Sequence, residues 1–206
     1  VAYHFPCPIY LVEKPEFLDA VNAVSEEALA KSREKQGELN EIYPVLMSDS
    51  YFNDSRVTPF AEYVGETAWN ILKDQGYAMD NYVVAFSEMW TQEHYKHSLM
   101  EKHNHGFGSV ISGFYLLECP EDCSHIIIHD PRPAKTITDL PEKDISQITH
   151  GSKSVWFNPT PGTLVFTNSW LPHSITRNGS DLPFSLVHFN LGVRDYYMPK
   201  EADEIV

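Results

Sequence analysis

From residue 81 onward, apolar and polar positions alternate in short runs. The stretch "YVVAFSEMW" (82–90) is followed by "GSVISGFYLLE" (108–118), "SHIIIHD" (124–130), "GTLVFTNSW" (162–170), "HSITRN" (173–178) and "FSLVHFNLGV" (184–193). Pro, Gly, Asp and Asn separate them. Short β-branched and aromatic runs with no helical pattern between them predict antiparallel strands stacked as a sandwich or jelly roll. The first third reads differently. "KPEFLDAVNAVSEEALAKSREKQG" (14–37) and "TPFAEYVGETAWNILKDQGYAMD" (58–80) carry apolar residues at helical spacing. Phe17, Leu18, Val21, Val24, Ala28 and Leu29 stripe the first; Phe60, Val64, Ala68, Ile71 and Leu72 stripe the second. Gly37 and Gly76 fit helix ends, and Thr58 with Pro59 fits a cap and first turn. "HFPCPIYLVE" (4–13), broken by two prolines, predicts an edge strand. The expected architecture is one domain over 1–206: helical support over 1–80 outside a mainly β, double-layered jelly roll over 81–195.

Composition narrows the setting. The 206 residues suffice for one sizeable core. Lys and Arg total 15 against 29 Asp and Glu, a net charge of −14. Such a surface argues against a nucleic-acid duplex or an anionic membrane as partner. No apolar stretch approaches the ~20 residues of a membrane span. No signal peptide is visible, and a few residues before Val1 are expected to be missing. Three cysteines, Cys7, Cys119 and Cys123, do not make a disulfide framework. A reducing, cytoplasmic setting is expected. Cys119 and Cys123 have no second cysteine pair with which to complete a zinc site.

The candidate chemistry lies among ten histidines. His103 and His105 sit one residue apart, just before a strand. Residues i and i+2 of a strand share a face, so two imidazoles there could share a cation. His173, at the start of another strand, is the best distant third ligand. Two close histidines plus one remote suit a metal site that leaves coordination positions open. A histidine in a strand is ordinarily just a hydrogen-bonded polar residue, and that plain reading holds for His4, His94, His97, His125, His129 and His150.

The order of motifs adds to this. Trp90, then "HNH", "ISGFYLLECPED", "HIIIHDPRP", "PTPGTLVFTNSWLPHSI" and "NGSDLPFSLVHFNLGV" resembles a branch of small bacterial and phage oxygenases. These belong to the iron(II)/2-oxoglutarate-dependent oxygenase superfamily. The resemblance covers about residues 80 to 193 well and the helical start loosely. It implies a double-stranded β-helix and iron(II) held by His103, His105 and His173. It also implies 2-oxoglutarate and O2 as co-substrates, and a hydroxylated small-molecule or peptide substrate. Most of the superfamily has Asp or Glu where this chain has His105. Glu101, on the predicted face of His103 and His105, or Asp130, ending a neighbouring strand, is the carboxylate that could join. An Arg expected about ten residues after the distal histidine is replaced by Phe184. The far carboxylate of 2-oxoglutarate would then fall to Tyr115, Arg132, His188 or Asn190. A pH-dependent His188 would weaken binding above ~6.5.

Plainer roles stand beside these. Asp130 and Arg132 could only staple a turn, and Tyr115 could pack with its hydroxyl on a neighbour. Trp90, Trp170 and Trp156 are candidate walls of the substrate pocket, or core. The connection from 132 to 161 is long for a hairpin and is expected to form a lid, with Trp156 or Phe157 at the opening. Two other functions fit the residues: a cupin-like three-histidine enzyme that uses no 2-oxoglutarate, and a non-catalytic jelly-roll binding module. A homodimer is one candidate assembly.

Overall fold

The structure is a computed structural model and describes residues 5–137 and 140–196. In chain order its elements are β1 (Ile9–Glu13), α1 (Leu18–Gln36), β2 (Val45–Met47), α2 (Thr58–Asp74), β3 (Tyr82–His94), β4 (Met100–His103) and β5 (Ser109–Glu118). There follow β6 (Ile126–His129), α3 (Pro133–Ile137), β7 (Ser154–Trp156), β8 (Thr163–Asn168), β9 (His173–Ile175) and β10 (Phe184–Asp195). A six-stranded sheet runs β1-β8-β5-β10-β3-β2, and a four-stranded sheet runs β4-β9-β6-β7. Every pairing is antiparallel.

The large sheet has two buried faces because its strands alternate between two apolar sets. Val187, Phe189 and Leu191 of β10 join Tyr115, Leu117, Leu164, Phe166 and Met89 under α1 and α2. The intervening Phe184 and Leu186 join Phe114, Leu116 and Val165 against Ile126, Ile128 and Ile175 of the small sheet. A strand covered on both sides reads as a nearly unbroken apolar run, which is how β5 and β10 look in sequence. The helices bury the stripes predicted for them: Val21, Val24 and Leu29 from α1, and Phe60, Val64, Ala68, Ile71 and Leu72 from α2. Gly37 ends α1 at φ 69°, a conformation open to a residue without Cβ.

Three details depart from the expectations. The short strands β2, β4 and β7 carry too few residues to show a period. Thr58 does not cap α2; a single 3-10 turn leads into the helix, and Asp54 caps that turn by accepting from the Arg56 backbone N–H at 2.9 Å. The first 80 residues are also more than support, since β1 and β2 are the two edges of the large sheet.

Gly113 on β5 marks where the helix-side core is tightest. A Cβ there would collide with the Phe189 ring and the Val165 carbonyl oxygen. The carbonyl belongs to a paired strand and cannot move aside. Gly113→Ala is expected to destabilise the fold by about 2 kcal/mol or more. A thermal melt should show Tm down by at least ~4 °C; an unchanged Tm would contradict this packing.

Candidate metal centre

His103 closes β4 and His173 opens β9, where the two strands pair His103 with His173. His105 lies just past β4, its backbone N–H donating to the Ser169 carbonyl at 3.0 Å. Strand alternation therefore brings only part of the predicted pair together; the loop anchored on Ser169 does the rest. One ring nitrogen from each histidine lies within 4.8 Å of the other two. Ring centroids are 4.5 Å apart for His103–His173, 5.1 Å for His105–His173 and 5.2 Å for His103–His105.

Tautomers decide whether such a cluster fits a cation. His103 Nδ1 is 2.7 Å from the Glu101 carbonyl and His173 Nδ1 is 3.3 Å from the Leu171 carbonyl. A carbonyl only accepts, so both protons sit on Nδ1 and both Nε2 lone pairs are bare. Nε2 of His173 and of His105 is buried without a partner. His105 Nδ1 faces Asn190 Nδ2 at 3.3 Å. An amide nitrogen donates, so in this orientation the His105 proton lies on Nε2; a bare Nε2 requires the Asn190 amide turned over to present Oδ1, which gives up its donation to Glu88. Burial, and then the neighbouring His103, hold His105 down to about 4 and His173 down to about 3. The two rings are neutral at pH 7 and free to ligate. Buried, unpartnered, neutral imidazole nitrogens converging on one point fit a divalent metal.

A fourth histidine stands against this cluster. His188 on β10 is 2% exposed, its ring 4.5 Å from His105 and 4.5 Å from Trp90, which stacks on it. Phe114 meets it edge-on at 4.7 Å. Neither ring nitrogen has a partner. One pair along the same strand, Asn190 accepts from Ser112 Oγ at 2.6 Å and donates to Glu88 Oε2 at 3.3 Å. Glu88 is the carboxylate nearest this network, and the sequence reading missed it. It faces Asn190 across β3 and β10; laying out the faces of β3 beside β10 would have found it.

Residues 88–190 match the family described as "Putative 2OG-Fe(II) oxygenase". The chain belongs to this family of oxygenases. No curated protein matches the chain in sequence. Among solved structures, a prolyl-4-hydroxylase from Pseudomonas putida is similar, with TM-score 0.58, 12% identity and 92% of this chain on 93% of that one. AviO1 from Streptomyces viridochromogenes Tue57 matches with TM-score 0.61 and 13% identity, covering 90% of each chain. A viral collagen prolyl hydroxylase from Paramecium Bursaria Chlorella virus-1, solved as a 2-oxoglutarate complex, matches with TM-score 0.56 and 10% identity, over 89% of this chain and 94% of that one. The likeness is one of fold: the two facing sheets are the jelly roll that the alternation predicts, the double-stranded β-helix that the resemblance implies. As a member of the family the oxygenase is an enzyme using iron(II), 2-oxoglutarate and O2.

Several predicted site residues of the oxygenase lie elsewhere. Tyr115 points to the helix-side core, because its neighbour Phe114 takes the barrel face; its hydroxyl donates to the Lys14 carbonyl at 2.6 Å. Arg132 is exposed and forks onto Asp130, with Nε to Oδ1 at 2.9 Å and Nη2 to Oδ2 at 2.5 Å. The plain turn staple is thus what "DPR" builds, and it occupies Asp130 as well. Glu101 is exposed and offers His103 only its backbone. Trp156 pairs with Ile127 on the outer side of the small sheet, 51% exposed and edge-on to His125. Ile127 and Ile128 alternate, and Ile128 has the inner side, so Trp156 cannot face the triad. Phe157 packs on the inter-sheet core.

The described residues of the long connection line a cavity of their own. Thr149, His150, Ser152 and Lys153 line this 390 Å³ cavity with Arg132 and Leu171, and no triad histidine lines it. Trp170 and His105 do share a wall, in a separate cavity of 640 Å³. Trp90 lines a small 210 Å³ recess with Glu88.

The buried imidazoles make the metal-free protein acid-sensitive. His94, at the other end of the barrel interior, is held down to about 4 by burial. His105, His173 and His188 are depressed for the same reason. Unfolded, each titrates near 6.5. As pH falls below ~6.5 the unfolded chain binds protons that the folded chain refuses, so stability falls with pH. His94 alone accounts for a loss on the order of 3 kcal/mol, complete below ~4. Urea midpoints of the metal-free protein should drop between pH 7 and 5, and His94→Gln should flatten that slope. Equal midpoints at both pH values would contradict neutral burial.

Proposed function

We propose that His103, His105 and His173 hold the iron(II) of this oxygenase, that 2-oxoglutarate binds beside them against His188 and Asn190, and that the substrate enters next to Trp170. The observation that carries the reading is the convergence of one ring nitrogen from each of the three histidines within 4.8 Å, beside Nε2 atoms of His105 and His173 that are buried without partners among the described residues. When bound, the metal supplies the oxidative chemistry with O2, in which 2-oxoglutarate leaves as succinate and CO2 and a substrate C–H gains one oxygen. The chain's own residues do the remaining work. The Glu101 and Leu171 carbonyls fix two ring tautomers. Phe114, Trp90 and the inter-sheet core keep water from His188. Three neutral ligands leave a divalent centre one charge more positive than two histidines and a carboxylate would. That favours anionic co-ligands such as a 2-oxo acid.

In this reading residues 1–206 are one oxygenase unit whose helices brace the large sheet. A reducing, cytoplasmic setting accords with Cys7, Cys119 and Cys123 as free thiols. No helix among the described residues is long and apolar enough to cross a membrane.

Cobalt(II) titration tests the ligands. His103→Ala, His105→Ala and His173→Ala are each expected to weaken binding by ~10-fold or more, the scale at which even outer-shell changes act. Parent-like affinity in any two of them would place the metal elsewhere. The co-substrate is tested anaerobically on the iron(II) protein by the visible absorption that 2-oxoglutarate induces. His188→Leu should raise the 2-oxoglutarate Kd by ~10-fold, one hydrogen bond to a charged group being worth about 1.5 kcal/mol or more. Arg132→Met should change it by less than ~3-fold, since Asp130 already occupies that guanidinium. The reverse result would move the co-substrate to the cavity beside Asp130. Burial pushes His188 well below its usual range. The loss of affinity above pH 6.5 expected from the sequence is therefore replaced by a flat profile from pH 6 to 8.

A further inference from the structure

Of the three cavities described above, the one containing a proposed metal ligand is also the least polar; it lies at the edge of the helix-side core, to which Leu72 and Met79 belong. It measures 640 Å³, within the ~300–1,000 Å³ of small-molecule sites. Leu72, Met79, Val110 and Val193 form its walls, with Trp170 and His105 between them. Among the described residues, no Asp, Glu, Lys or Arg lines it. Its polar side chains are largely spent. Asn168 exchanges both amide groups with Gln75, donating at 2.9 Å and accepting at 3.1 Å. Ser169 Oγ donates to the Ser109 carbonyl at 2.6 Å. Aromatic rings remain: Trp170, 46% exposed, and Tyr77 and Tyr82 on the far side. By contrast, the 390 Å³ cavity is lined by Arg132, Lys153 and Asp130, and the 210 Å³ recess by Glu88.

We infer that this cavity takes the group to be oxidised, and that the substrate is an uncharged, mainly apolar small molecule bearing a ring. The inference rests on the metal reading above and adds the substrate class to it. A carboxylate, phosphate or ammonium entering here would shed its hydration and find no ion to replace it. A peptide strand would bring a row of amide N–H and C=O groups to a wall whose Asn168 amide and Ser169 hydroxyl are already paired. A ring loses little by entering and gains the faces of Trp170 and the two tyrosines. The acidic surface sharpens the distinction. With 29 acidic residues against 15 basic ones, long-range attraction favours cations, whereas the cavity wall excludes them.

Two probes of equal shape separate wall from surface: 1-naphthylmethanol, neutral, and 1-naphthylmethylammonium, cationic. Binding is measured by probe fluorescence and by proton relaxation of the bound probe in cobalt(II)-loaded against zinc(II)-loaded protein. The alcohol is expected to bind at least ~10-fold more tightly than the ammonium, a desolvation difference of the order of a lost charge partner. Cobalt should shorten its proton relaxation, placing it at the metal. Ala78→Trp, which fills the cavity from an exposed position on its rim, and Val193→Asp, which puts a charge in its wall, should each cost the alcohol ~10-fold or more. Cobalt affinity should not change in either variant. Tighter binding of the ammonium, or alcohol affinity untouched by both variants, would overturn the assignment. The alcohol preference and the Ala78→Trp effect are also read in metal-free protein, so a failure of the histidine triad to bind cobalt would sink the metal reading without deciding this one.

Discussion

A single strand, β10, must serve two interiors, and its alternation sets the layout of the molecule. Val187, Phe189 and Leu191 belong to the core under the helices; Leu186, His188 and Asn190 belong to the barrel. Shifting the register by one residue would put His188 under α2 and Val187 against the triad. Sheets buried on both faces tolerate no such slip, because each wrong face costs its apolar burial. Gly113, opposite Phe189 in the same sheet, shows how little slack that arrangement leaves. The site inherits its precision from this pairing: Trp90, His188 and Phe114 are cross-strand neighbours, as are Glu88, Asn190 and Ser112.

Much of this was legible in the sequence, and the exceptions have physical causes. Long strands and the two large helices announce themselves because a period needs several residues to show. The three-residue β2 and β7 and the four-residue β4 are defined by what they pair with, and pairing is not written locally. The triad was readable from His103, His105 and His173 even though strand alternation accounts for only one of the two close histidines. Tyr115 was misplaced because the run "GFYLL" is apolar on both faces, so nothing local says which residue faces the barrel. Arg132 was read as either a carboxylate clamp or a turn staple, and the staple to Asp130 is what the structure builds. Glu88 was missed because it is recognisable only once β3 is set beside β10.

The charge around the cluster departs from that of most of the superfamily, which the resemblance describes as having a carboxylate where this chain has His105. Here the carboxylate stands behind an amide. Glu88 meets Asn190, and Asn190 meets both Ser112 and His105. An amide between carboxylate and imidazole transmits orientation better than charge, because its two ends differ and it must choose which one His105 sees. The state of that amide is thereby tied to the state of the ring.

β4 is an edge strand, bonded only to β9, and its register slips between Met100 and His103. Two of the three clustered histidines hang from this strand and the loop that follows, while the third sits on β9. A cation shared among them, as proposed, would act as a rivet across a seam where the strand register slips. Loading the proposed site would then also fasten the rim of the barrel, beside a cavity at Trp170 that is already formed without the metal.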